Sequence, residues 1–146
     1  MAKTYSFRDT KAAITGPGGS FSITNGSAEE GITIAMREDK NNLLIGADGS
    51  GMHSLRADKS GTITVRLLKN SPTNAILSGM YNFQTASSTT HGQNVITITS
   101  TIGDVITATG VAFKKQPDIT YSKDGNINEW SFEAIEVTEI LAASLV

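Results

Sequence analysis

Gly61-Thr-Ile-Thr-Val-Arg-Leu-Leu68, followed after Lys69-Asn70 by Ser71-Pro-Thr-Asn-Ala-Ile-Leu-Ser-Gly-Met-Tyr-Asn-Phe-Gln84, is the stretch that decides the fold. From Thr62 to Leu68 the apolar residues Ile63, Val65 and Leu67 alternate with Thr62, Thr64 and Arg66, the period of two that marks a strand buried on one face. Ser71-Pro72 then signals a helix start: the hydroxyl can accept from a first-turn amide, and proline at the first helical position gives up a donor that has no partner there. Ile76, Gly79, Met80 and Phe83 follow at i, i+3, i+4 and i+7, which predicts an apolar stripe facing a core, with Asn74, Ser78 and Asn82 turned away. Met80 and Phe83, with Ile76, are therefore the expected core residues of the helix. Strands and glycine-rich turns account for the remainder, so the chain reads as mainly β with one flanking α-helix on its sheet.

The 146 residues fit a single domain over 1–146, a size at which about 70% of the unfolded surface is buried. Absence of cysteine excludes disulfides and thiolate metal sites and suits a reducing compartment. Neither an apolar leader in Met1–Asp9 nor an apolar run of about 18 residues is present, so a soluble protein without a membrane span is expected. A net charge of −2 with interspersed signs gives no basic footprint for gripping nucleic acid.

Outward from the opening stretch, a ragged first strand is expected within Tyr5–Ala13, then a turn at Gly16-Pro17-Gly18-Gly19 and a short strand through Phe21 and Ile23 that ends at Asn25-Gly26. The clean alternation of Gly31–Arg37 predicts a strand that pairs with Thr62–Leu68. Between those two lies Asp39–Ser60, long for a connection and studded with Leu43, Leu44, Ile45, Met52 and Leu55. A structureless loop of about 20 residues is improbable in a compact domain, and these apolar residues argue against disorder. With Asp48-Gly49-Ser50-Gly51 at its midpoint, the segment 39–60 reads as a protruding β-hairpin arm whose apolar residues make intersubunit contacts; a surface excursion packed on its own domain is the alternative. Past the helix, Val95–Thr99 and Val105–Phe113 form a hairpin with a threonine face and a bulge or bend at Gly110. Glu129–Val137 is the last strand, with bulk from Trp130, Phe132, Ala134 or Ile135 and Val137. The apolar tail Glu139–Val146 is expected to dock on its own domain or on a partner.

Catalytic and metal-binding patterns are missing. His53 and His91 stand in separate loops without a neighbouring carboxylate at a useful spacing, Asp48-Gly49 and Asp124-Gly125 lack the ligand pattern of a calcium loop, and Gly16–Ser20 lacks the ending of a phosphate-binding loop. The carboxylate pairs Glu29/Glu30 and Glu133/Glu136 have no acid–base partner that the sequence can name. No catalytic residue, cofactor or metal is expected.

The order of these elements, the Asn70-Ser71-Pro72 helix start and the Trp130-Ser131-Phe132 strand resemble tail tube proteins of contractile-tailed bacteriophages over essentially the whole chain. That fold is shared with the haemolysin-coregulated tube protein of type VI secretion. The resemblance implies a β-sandwich or barrel-like subunit, hexameric rings stacked into a hollow tube, and DNA passing through the lumen without tight binding. It also implies sheath, baseplate and tape-measure partners and a virion location after assembly in the host cytoplasm. Thr64, Thr97, Thr99, Thr107 and Thr109, opposite the isoleucines of their strands, are candidates for a lumenal or outer polar wall. A carbohydrate-binding or host-attachment β-module is the other reading, with Tyr81, Tyr121 and Trp130 as its candidate aromatics.

Overall fold

The computed structural model of the chain describes residues 10–23, 28–100 and 103–141. Their elements are β1 (Thr10–Gly16), β2 (Gly19–Ile23), β3 (Ala28–Met36), β4 (Asn41–Ile45), β5 (Gly51–Leu55), β6 (Gly61–Leu68), α1 (Thr73–Gln84), β7 (Asn94–Ser100), β8 (Val105–Lys115) and β9 (Ile127–Ile140). The architecture is mainly β with one helix among the described residues. Seven strands form an antiparallel sheet in the order β2-β1-β7-β8-β9-β6-β3, while β4 and β5 pair as a separate two-stranded sheet. Residues 5–9 of the expected first strand, the Asn25-Gly26 turn, Thr101 and Ile102 of the β7–β8 turn and tail residues 142–146 lie outside the described residues.

Alternation in β6 does what its sequence dictates. Ile63, Val65 and Leu67 are buried and Thr62, Thr64 and Arg66 are partly exposed. Register then builds the core across strands: Ile63 faces Phe132, Val65 faces Trp130 and Ile34 faces Ile63, while Phe132 also pairs with Phe113. The Phe113 ring sits 4.8 Å from that of Phe132, 5.9 Å from Trp130 and 5.6 Å from Tyr81 of the helix, so aromatic packing joins the sheet to α1. At the end of the β7–β8 ladder, Asn94 pairs with Val111 and Ile96 with Ala108. Thr109 and Gly110 together therefore oppose Val95, a β-bulge whose glycine takes φ +61, a conformation that costs glycine little.

The helix is turned relative to the stripe that its sequence suggests. Leu77, Met80 and Gln84 are its buried residues, whereas Ile76 is 44% and Phe83 54% exposed. Bulk alone does not choose the buried face here, because polar anchors at both ends fix the rotation. Asn74, expected to face away, accepts a hydrogen bond on Oδ1 from Trp130 Nε1 at 2.9 Å and donates from Nδ2 to Leu68 O at 2.8 Å. At the other end Gln84 and Asn94 exchange two amide bonds of 2.8 and 2.7 Å, Gln84 also donating to Pro17 O and Asn94 to Val111 O. With Asn74 and Gln84 directed at the sheet, residues 74, 77, 80 or 81 and 84 must follow, and Ile76 is carried about 100° away from Leu77. Only Met80 belongs to both faces.

The expected serine cap is also replaced. Pro72 precedes the first helical residue in helical conformation without a side-chain cap, and Ser71 Oγ is 3.4 Å from Thr73 N, too long for a strong bond. The carbonyls of Ser71 and Pro72 instead accept from Asn74 N and Ala75 N. Gly16 closes the far end of the helix contact: a Cβ there would lie 1.8 Å from Asn94 Oδ1, so the turn and the amide pair require one another.

Candidate functional site

The hairpin over 41–55 concentrates the uncovered apolar surface that its sequence announces. Its register pairs Asn41 with Leu55, Leu43 with His53 and Ile45 with Gly51 on one side, and Asn42 with Ser54 and Leu44 with Met52 on the other. Leu43, Leu44, Ile45, Met52 and Leu55 are all exposed, Leu55 to 85%. Both sides of the ribbon thus carry bare aliphatic groups, although a two-stranded hairpin in water keeps itself folded only marginally.

Local polar contacts give the hairpin its shape. At the tip Gly46 N donates to Ser50 O at 2.7 Å, Gly49 takes φ +88, and Asp48 Oδ1 accepts from Ser50 N at 3.0 Å and Ser50 Oγ at 2.6 Å. Those bonds, the hydroxyl's first, hold the Asp48 carboxyl below its ordinary range. At the root Asp58 Oδ1 repeats the motif with Ser60 N and Oγ, and the Ser60 hydroxyl is again the first cause of its lowered pKa. Arg56 pairs with Glu38 at 3.6 Å, and Arg37 N donates to Ser60 O at 3.0 Å, continuing the β3–β6 ladder into the hairpin. Val137 N donates to Lys59 O at 2.9 Å, which ties the returning strand to β9.

A second surface is the sheet side that faces away from the core. Thr97, Thr107 and Thr138 form one row across β7, β8 and β9, and Thr33, Thr64 and Ser131 form another across β3, β6 and β9. Thr99 stands opposite Val105 and Thr109 opposite Glu136. Arg66 bridges the second row, donating from Nη1 to Thr33 Oγ1 at 2.9 Å with Nε 3.4 Å from Glu129. The aromatics proposed for glycan stacking do not gather: Trp130 is buried, Tyr81 packs on Phe113, and only Tyr121 is freely exposed, with Lys69 Nζ 4.1 Å from its ring centre. His53 Nδ1 pairs with Asn41 Nδ2 at 3.0 Å inside the hairpin. Sequence reasoning missed Asn74, Gln84 and Asn94, because an amide side chain reads as a surface or turn residue until its partner is known.

The family model of the bacteriophage PhiTE tail tube protein matches residues 1–142. Among curated proteins no sequence matches. Similar solved structures include a chain of the anti-feeding prophage baseplate, 6-fold symmetrised, with TM-score 0.63 and 11% identity over 99% of this chain and 100% of that one. The sheath/tube terminator of an extracellular contractile injection system in its extended state aligns with TM-score 0.57 and 13% identity, over 94% of this chain and 97% of that one. A chain of the corresponding sheath–tube complex aligns with TM-score 0.54 and 13% identity, over 90% and 88% respectively.

Proposed function

Because this chain belongs to the family of the bacteriophage PhiTE tail tube protein, we propose that it is a structural, non-catalytic virion protein whose copies form hexameric rings stacked into a tail tube that conducts DNA into the host cell. The observation that carries this reading is the β4–β5 hairpin, with five apolar side chains exposed on its two sides. Such a ribbon is stabilised when other copies cover it, and a cover on each side suits a lattice of repeated subunits better than a single partner. The six-fold count follows the 6-fold symmetrised assembly of one structural relative. Sheath and baseplate components are the further partners, by analogy with the sheath–tube and baseplate assemblies of those relatives, and a tape-measure protein follows from the tube role. The threonine rows provide a polar wall, and a chain of net charge −2 lacks the lysine density that would hold phosphates in a salt-dependent grip. Assembly would take place in the host cytoplasm.

The test separates assembly from folding. Purified protein is expected to sediment as rings or tubes visible by negative-stain microscopy. Replacing Leu44–Leu55 by a short Gly-Ser linker should abolish those particles and leave a cooperative thermal midpoint within a few degrees of the parent, since the hairpin adds nothing to the core. A deletion variant that still assembles, or one that unfolds, overturns the reading of 39–60 as an intersubunit arm.

A further inference from the structure

The hairpin leaves the β3–β6 ladder at the Met36–Gly61 pair, whereas the other end of β6 is the Leu68–Ile127 pair. Seven residue steps separate those ends, about 23 Å along the strand. At the far end lies an open cleft of about 760 Å³ lined by Leu68, Lys69, Asn70, Gly125, Asn126 and Ile127, within the range of about 300 to 1,000 Å³ typical of binding clefts. Leu68 is exposed on its rim. Lys69 Nζ donates to Thr120 O and lies over the Tyr121 ring, and among the described residues no carboxylate pairs with it. Lys69 is the one charged residue among those that line the cleft.

The hairpin tip carries the complementary set. Exposed Ile45 and Met52 flank it, and Asp48 is the only formally charged residue from Asn41 to Leu55. Its Oδ1 is held by Ser50, and among the described residues no cation pairs with the carboxylate. We propose that the hairpin tip of one copy docks in the Leu68–Ile127 cleft of the next copy, Ile45 and Met52 against Leu68 and Ile127, and Asp48 against Lys69. This rests on the reading of the hairpin as an intersubunit element.

A second copy is the occupant that the layout favours. The hairpin root and the cleft lie at opposite ends of β6, and no hairpin residue lines the cleft of its own chain. A head-to-tail contact of that kind repeats from copy to copy along the strand direction. Pairing hairpin with hairpin would instead set Asp48 against Asp48, and like charges at an interface oppose association.

Charge exchange tests the contact. Asp48→Lys and Lys69→Asp, each on an exposed or partly exposed residue, should leave the thermal midpoint near that of the parent. Each should raise the concentration needed for sedimenting particles by about tenfold or more, and the double exchange should recover assembly. Because the sequence has no cysteine, Ala47→Cys combined with Asn70→Cys gives a second readout: a disulfide forms only when the two Cα atoms come within about 7 Å. Oxidised particles of the double variant should run as a ladder of dimers, trimers and longer chains on a non-reducing gel, while either single variant stops at the dimer. If deleting Leu44–Leu55 blocks assembly but neither the charge exchange recovers it nor the ladder appears, the docking site falls and the arm stands. If the deletion variant assembles, the underlying reading falls with it.

Discussion

The hairpin over 41–55 and the helix over 73–84 are both rich in apolar residues, yet the helix buries Leu77 and Met80 while the hairpin buries none of its five large apolar side chains. What separates them is the reach of their polar contacts. Asn74 and Gln84 bond to Trp130, Leu68, Pro17 and Asn94, tying the helix to β9, to the β1–β2 turn and to β7. Within the hairpin Asp48 bonds Ser50 and Asn41 meets His53, and at its root Asp58 bonds Ser60. Such short-range bonds shape a ribbon without choosing what covers it. The helix thus contributes to the stability of the single chain, whereas the hairpin's apolar surface stays uncovered in it.

The largest expected effect breaks that comparison inside the helix itself, between adjacent residues. Leu77→Ala removes a fully buried side chain and should cost about 2–5 kcal/mol through lost transfer energy and a cavity. Ile76→Ala, at 44% exposure, should cost less than about 1 kcal/mol. Urea denaturation of the two variants measures both values. Equal losses would mean that the buried line runs through Ile76, as the spacing of the apolar residues alone suggests.

A smaller loss sharpens the role of the amide anchors. Asn94→Leu keeps the approximate volume but leaves Gln84 and the Val111 carbonyl without bonds that now measure 2.7 and 3.1 Å. Orphaned buried polar groups of this kind cost about 1–3 kcal/mol, so the midpoint should fall, and the assembly proposed for the hairpin should persist at temperatures where the variant is folded. An unchanged midpoint would show that the pair does not anchor the helix.

These anchors also mark where sequence legibility ends. Strands β6 and β9 and the β7–β8 hairpin could be read because one-sided burial forces a period of two, and the Gly110 bulge because glycine in a strand signals a break in it. Asp48-Gly49 located the hairpin tip for the same local reason. The neighbours of β9, with β8 on one side and β6 on the other, come from pairings between distant segments, and no local period encodes them. Asn74, Gln84 and Asn94 were hidden because an amide ranks as polar by itself and becomes a core residue only when another buried group satisfies it. The resulting error moved the helix face by one residue, exchanging Leu77 and Gln84 for Ile76 and Phe83.

The smallest expected effect is electrostatic and confined to the hairpin. The core between sheet and helix buries the amides Gln84, Asn94 and Asn128 but no ionisable side chain among the described residues, so acid acts there only indirectly. Asp48 and Asp58 have carboxyl groups lowered from 3.8, chiefly by the hydroxyls of Ser50 and Ser60. A group whose folded pKa is depressed adds stability that is fully present above its unfolded value and is lost as pH falls through the folded value. The tip and root turns should therefore loosen as pH drops below the ordinary aspartate range, before the core responds. NMR titration of the Ser50 and Ser60 amide shifts is the direct measurement, with midpoints expected below 3.8 for both and the core amides of β6 unmoved over the same interval. Midpoints at or above the ordinary aspartate value would mean that the serine hydroxyls do not hold these carboxylates in solution, and that bonds other than these shape the tip and root turns.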